Sequence, residues 1–547
     1  KQLGNTLNFY KSNKKGFYNQ ININHHFSGD VHTPGYNLDN TSFKNSFAGF
    51  VIGNRKFKKG WEIDFSALQS TNGILSYAHI GNTTDLARII NRDSPLVTKD
   101  FDYQIEAPKQ AISHYALKSQ YFYRLKGMGK MRWNYSFQQN QREEFDNRRG
   151  DLKNTPVIDL TLKTHQLQWH WDLDQFKDKK FQIGISTQLQ NNFPDPSTGV
   201  KRLIPDYDKF DIGTYFIAKH EISKSFVFDY GIRFDYSKIE AQKFYTKTDW
   251  DTNFNDQYSR FLINYQGSQA YTEPTLQYNN LSFQTGFWWA MNSKSDIRVN
   301  GGYNSRNPNP AELFSDGIHQ SSASFEFGNL GLEKEQNLFL STEFAYHTAK
   351  LDIEIQPYVK YIQDYIYLAP KGLKLSIRGA FLNYNYQQTD ALVSGTDINL
   401  NYFINEKLSI SNKIAFVNGK DISNNTSLIN FPPMNGNLEL AYNINKNWNF
   451  KGNMEWYTQQ TNVPDLNFYA TIDNQQTLID ISTAPKGYQL FNLNTSYKLN
   501  ISKKQQIVFI GEVENLANTT YRSYLNRLRY FADETGRSFN IKINYTF

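Results

Sequence analysis

The densest group of possible metal ligands in the chain is His25, His26, Asp30 and His32. Imidazole and carboxylate donors at this spacing suit zinc or iron. The same stretch also reads as a polar loop, because Ser28-Gly29-Asp30 and Thr33-Pro34-Gly35 are turn sequences. A second group, Glu312, Asp316 and His319, falls in a long irregular segment, and His79 could face the same opening. Asp316, His319 and His79 are the expected substrate contacts, whereas Glu312 reads as a cap where its segment starts. His165, His170, His220 and His347 read as hydrogen-bonded residues in or beside strands. His220-Glu221 has no second histidine at the offset a zinc-protease helix needs. Gly127-Met-Gly129 is a tight turn and not a phosphate loop. No nucleophile elbow or Ser-His-Asp signature is found, so no catalytic residue is assigned. Zero cysteines exclude disulfides, Cys-ligated zinc, Fe–S clusters and thiol catalysis.

These groups must be held by strands. Of 547 residues, 16% are aromatic, with 41 Phe, 36 Tyr and 9 Trp. The mean hydropathy is nonetheless polar, −0.65. That combination fits a transmembrane β-barrel, with one face in lipid and the other wet. No run approaches the roughly 18 apolar residues of a membrane helix. Alternation recurs throughout. Leu167, Trp169, Trp171 and Leu173 interleave with Gln166, Gln168, His170 and Asp172. Phe539, Ile541, Ile543, Tyr545 and Phe547 do the same against Asn540, Lys542, Asn544 and Thr546. Each is a strand with one apolar face. Pro357 is an irregularity in one of them, since proline removes a ladder donor.

Ten short polar turns fall at 13–15, 56–59, 126–130, 177–180, 223–225, 293–295, 348–350, 405–407, 445–447 and 502–505. Long irregular segments, such as 81–99, 245–271 and 464–485, lie between them. Short turns on one rim and long loops on the other are the outer-membrane pattern, and they imply about 21 strands, or about 22 when complete. A soluble multi-sandwich protein is the competing reading. The net charge of +7 is small for this length and does not argue for nucleic acid. The basic clusters 142–149 and 522–529 are read as rim charges, solvated or meeting lipopolysaccharide phosphates. Phe468, Tyr469 and Tyr488 could stack on a chelate or haem, with loop packing as the plainer alternative.

The run Arg306-Asn-Pro308-Asn-Pro-Ala-Glu312-Leu313-Phe314, followed by Gly328-Asn329 and Glu335, resembles a recurrent block of TonB-dependent outer-membrane receptors. Asn515 in Glu514-Asn515-Leu516, then Gly536-Arg537 before a last strand ending at Phe547, agrees with that family. The segments 78–86 and 139–149 give it the look of the zinc, haem and ferric-chelate receptors of Bacteroidota. The resemblance implies an antiparallel barrel with short periplasmic turns and long extracellular loops, in the outer membrane of a Gram-negative bacterium. It implies uptake of a metal or metal chelate (iron-siderophore, haem or zinc), carried as cargo with no permanently bound cofactor and no enzymatic step. Implied partners are outer-membrane lipid and lipopolysaccharide, the TonB-ExbB-ExbD machinery and a possible surface lipoprotein. The competing functions are a passive porin, an importer of peptide or oligosaccharide, and a barrel hydrolase. The family's plug, through which TonB acts, and its first strand have no counterpart here, so 1–547 is expected to be barrel alone. A lumen of about 22 strands without a plug should leak or collapse.

Overall fold

The computed structural model describes residues 2–547 apart from 79–80, 91, 93–94, 96–97, 149, 174–175, 377–378 and 473. Among the described residues one sheet holds 26 strands. Five short ones belong to loops, namely Leu262–Gln266, Gln269–Thr272, Asp316–His319, Ser324–Phe327 and Thr426–Ser427. The other 21 form the wall. They are β1 Gln2–Ser12, β2 Phe17–Ser28, β3 Phe43–Arg55, β4 Lys59–Gly73, β5 Lys109–Leu125, β6 Gly129–Phe145 and β7 Ile158–Leu173. Next come β8 Lys179–Pro194, β9 Asp206–Ser223, β10 Phe226–Thr246, β11 Thr275–Ala290, β12 Ser295–Arg306, β13 Glu335–His347 and β14 Leu351–Ser376. The wall ends with β15 Gly379–Phe403, β16 Leu408–Asp421, β17 Asn435–Asn443, β18 Trp448–Tyr457, β19 Tyr488–Asn500, β20 Gln506–Glu514 and β21 Ser538–Thr546.

Each wall strand pairs antiparallel with the next in sequence. All ten expected short turns join consecutive strands on one rim, and the long segments rise from the other. Strand direction alternates, so β1 and β21 run the same way. Among the described residues each of these two is paired on one side only.

The alternation sorts side chains as the sequence implies. Leu338, Leu340, Leu440 and Ile541 lie on the apolar outer face, 48–84% exposed in the isolated chain, because their solvent is hydrocarbon. The inner face is polar. Pro357 keeps its register with Thr396 of β15, but the ladder to β13 is interrupted beside it, between Ser341–Tyr358 and Phe344–Ile355. The missing N–H costs pairing on one side only.

β14 and β15 have 26 and 25 residues. A tilted membrane strand needs about 9–11, so this pair stands well beyond the bilayer. There it supports a crown of loops with cores of their own. One core joins Leu86 and Ile89 of the helix Thr83–Ile90 to Phe381, Ile479, Tyr530 and Phe531. Another surrounds Trp250, fully buried between Tyr245 and Phe254.

Candidate functional site: the loop crown

Arg306 ends β12 and meets two carboxylates. Its Nη1 and Nη2 donate to Glu312 Oε2 and Oε1 at 3.0 and 3.2 Å, and its Nε donates to Glu335 at the start of β13. Glu312 also closes a capping box on the helix Pro310–Phe314, accepting from Asn309 N while Asn309 Oδ1 accepts from Glu312 N. Glu335 accepts from Ile366 N of β14 at 2.6 Å. One guanidinium thus ties the end of β12 to the start of β13, and Glu335 carries the link on to the middle of β14. Pro308 is buried beside this cap, and Leu313 and Phe314 anchor it in the Trp250 core. Gly328 lies so close to the backbone of Leu313 that an added Cβ would sit 2.6 Å from its carbonyl carbon. Asn329 N donates to Glu312 O.

The second motif is built likewise. Asn515 has a left-handed φ of 47°, its side chain is buried, and it bonds Thr519 through both its amide groups. Gly536 N donates to His32 O, and a Cβ there would meet Pro34 N at 2.8 Å. Arg537 N donates to Asn518 Oδ1. Phe547, past the end of β21, is exposed.

Asp316 and His319 sit in the crown, each engaged within the protein. Asp316 is buried and holds Lys243 of β10 at 3.1 Å and Lys201 at 2.7 Å. Burial pushes its carboxyl up, but the two lysines outweigh burial and hold it below the usual carboxylate range. Lys243 also donates to Phe314 O. His319 Nε2 faces the Arg142 guanidinium and its Nδ1 faces Glu326 at 3.0 Å. Arginine only donates, so Nε2 accepts and Nδ1 carries the proton toward Glu326. Arg527 also reaches Glu326 at 3.0 Å. Burial raises the Glu326 carboxyl, but the hydrogen bond from His319 and the Arg527 guanidinium bring it below the ordinary glutamate value. Glu144, fully buried at the top of β6, accepts from Arg142 and Gln320 N. His79 and Arg149 lie outside the described residues.

The four expected metal ligands do not converge. Neighbours in a strand point to opposite faces, so His25 bonds Ser46 while His26 packs edge-on against Phe43 across the sheet. Asp30 is buried and accepts from Thr41 N, Ser42 Oγ and Asp102 N. His32 bonds Asn37. The stretch is a strand end and loop, as its turn residues allowed. Among the described residues, donors lying within 4.8 Å of one another occur at His347, Asp352 and Glu354, by the short-turn rim. His347 there is bonded to Asp352, with Asp296 3.8 Å away.

Sequence reasoning missed the crown's main recess. A cavity of about 590 Å³ opens between residues 480–488, 520–533 and the end of the helix Thr83–Ile90. Arg92, Lys486, Arg522 and Arg529 line it, against Asp480 and Asp533. Arg522 is paired with Asp533 at 2.7 Å. Arg529 has no carboxylate partner among the described residues; it bonds Tyr524 O and the Tyr530 hydroxyl and stacks on both rings. Its Nε is buried without a hydrogen bond. Burial raises the Tyr521 phenol to about 12 and Tyr530 further, so both are protonated donors at neutral pH. Tyr488, one of the expected stacking residues, lies 4.5 Å from Tyr521 in this recess. Tyr469 is exposed on a hairpin, and Phe468 packs onto the loop core.

A wall with a greasy outside, a polar inside and long loops on one rim defines an outer-membrane β-barrel. The family "TonB dependent receptor-like, beta-barrel" matches residues 3–516, and the chain belongs to it. A comparison with curated proteins gives no match. Solved structures similar over the whole chain include "Copper transporter OprC", with 14% identity, TM-score 0.72 and 79% of that chain covered. The FrpB iron transporter from Neisseria meningitidis gives 14%, 0.70 and 79%. The ferric-catecholate import receptor Fiu from E. coli K12 gives 12%, 0.69 and 81%. At such identities these likenesses establish the fold. Barrels of this family reside in the Gram-negative outer membrane, contact its lipids and work with the TonB complex. They are receptors and transporters, not enzymes, which sets aside the hydrolase reading.

Proposed function

We propose that this barrel serves the TonB-driven import of a metal chelate, captured as an anion in the recess of Arg92, Lys486, Arg522 and Arg529. The observation that carries this reading is Arg529: a guanidinium with no carboxylate partner among the described residues, flanked by neutral phenols, in a cavity of ligand size. Charged oxygens of a chelate would accept from the guanidinium, and its rings would stack on the tyrosines. The copper and iron cargoes named for the structural neighbours support a metal species. Asp316 and His319 act in this reading as loop fasteners, and His79, outside the described residues, remains a proposed contact.

The same reading places a plug and one further strand outside 1–547. A strand antiparallel to both β1 and β21 would close the ring at 22, the even count such barrels use. TonB-ExbB-ExbD would act through that plug. Lipopolysaccharide around the rim, a surface lipoprotein over the crown and a Bacteroidota source complete the proposal. Calorimetry of the purified receptor with Zn²⁺, haem and a ferric tris-catecholate tests it. Binding of the ferric tris-catecholate that weakens at least tenfold in Arg529→Ala is expected. Binding unchanged in Arg529→Ala, or no binding of any of the three, would turn the reading toward a peptide or oligosaccharide.

A further inference from the structure

The inner face of the wall is not uniform. On β6 from Asn134 to Asn140, on β7 from Thr164 to Gln168, and on β8 from Gly184 to Asn192, no inward residue is charged. Amides dominate, chiefly Asn134, Gln138, Gln166, Gln168, Gln188 and Gln190. Three strands spaced about 4.8 Å apart make a strip about 10 Å wide, about 17 Å long where all three take part and about 30 Å along β8. That is the height of the hydrocarbon layer, about 25 Å in such barrels. Two shallow hollows, of about 340 and 280 Å³, lie along the strip and share Gln166.

Charges of both signs flank the strip: on the β4–β5 side Glu62, Asp64 and Lys118 line the larger hollow, with Asp64 opposite Lys118 in register. Lys209 pairs with Asp211 at 3.1 Å, and Arg233 donates to Asp235 at 2.7 Å. Below, Arg132 meets Asp172 at 3.0 Å. Above, the strip runs up to Arg142 and Glu144, the foot of the network that reaches Arg527, two residues from Arg529 in the recess. Another uncharged stretch, on β1–β3, is interrupted by the inward Tyr10, Tyr18, Phe47 and Val51. Across the lumen, β13–β18 present charges of both signs, with Glu343, Asp352, Glu354, Asp397, Glu439 and Glu455 beside Lys360, Lys413 and Lys451.

We propose that imported solute travels along the β6–β8 amide strip. This rests on the importer reading above. A fixed charge within contact distance either holds an ion of opposite sign or rejects one of like sign, and a route must bind weakly enough to release. Primary amides offer donors and acceptors in equal measure. They replace part of a solute's hydration without trapping either sign. The pairs on β9 and β10 cancel at one margin, and Lys118 offsets one of the two carboxylates at the other.

The test uses the full receptor in energised cells and a ferric tris-catecholate carrying radioactive iron. Gln166→Lys and Gln188→Glu are expected to slow uptake at least tenfold, with binding to chilled cells unchanged. Gln166→Asn should retain wild-type uptake. Asn453→Lys on β18, eleven strands round the ring from β7, should stay within twofold of wild type. Equal losses at Gln166 and Asn453, or no loss at Gln166 and Gln188, would overturn the route. Wild-type cells that take up none of the probe would instead overturn the importer reading for this cargo. A second arm needs no cargo. The chain has no cysteine, so Gln166→Cys and Asn453→Cys each place one thiol on the wall. An impermeant maleimide added outside should label Gln166→Cys faster in energised than in de-energised cells, and Asn453→Cys at one rate in both. Labelling of Gln166→Cys indifferent to energy would count against a path that opens along the strip.

Discussion

The wall and the crown are made from one chain but obey two solvents. In the wall, Leu440 and Ile541 stand outward with no protein over them. Backbone ladders pair every strand from β2 to β20 on both sides, and hydrocarbon supplies the apolar contact. In the crown, Trp250, Phe314, Leu86 and Ile479 are buried among side chains from distant loops, as in a water-soluble domain. The difference teaches that a large hydrophobic residue has opposite meanings in the two regions. Outside the wall it is interchangeable with other apolar residues, whereas inside the crown its shape is fixed by its neighbours.

If that division holds, Trp250→Ala should cost the crown about 3–5 kcal/mol. Proteolysis within residues 247–274 would accelerate by at least a hundredfold, with the folded fraction of the wall on unheated gels unchanged. Loss of the folded band would show that the wall depends on the crown after all. The converse substitution, Leu440→Arg, should cost about 2–4 kcal/mol if its site is near the bilayer midplane. Folding yield into lipid vesicles would report it, with Leu440→Met as a neutral control. A smaller effect, about 1.5–3 kcal/mol, is expected for Arg306→Ala, which strands Glu312 and Glu335. Hydrogen exchange in residues 307–334 should rise there and remain unchanged in β17–β20.

The mildest probe is acid. Glu326 titrates below its ordinary value, near 4.3, so its contribution to crown stability is complete above about pH 5. It fades as the pH falls through the lower folded value. Proteolysis at the loop 316–327 should therefore quicken a few-fold between about pH 5 and pH 3, and Glu326→Gln should flatten that response. An unchanged slope in Glu326→Gln would assign the acid sensitivity to another carboxylate, with Asp316 next in line.

Much of the wall was readable from residue order. Period-two alternation and ten polar turns place 21 strands, because each strand meets its sequence neighbour and the signal is local. The Arg306 block was readable as structural, since the capping box at Asn309 and Glu312 is a short-range device. The spread of the His25 group is also a local matter, as adjacent strand residues diverge. The crown was not readable. Tyr36 meets Asp533 across 497 positions, Arg527 meets Glu326 across 201, and Arg142 meets His319 across 177. No pattern in a linear window records such pairs.

Residue order by itself determined which face of each strand is greasy and where the chain turns back, since both depend on side-chain type within a few positions. Which loop residues are consumed in fastening, as Asp316 and His319 are, and which are left facing a cavity, as Arg529 is, was decided only when the ring brought loops from far along the chain to one rim. The curvature of the sheet sets those neighbours, and a charge is available to a ligand only where no neighbour has already met it.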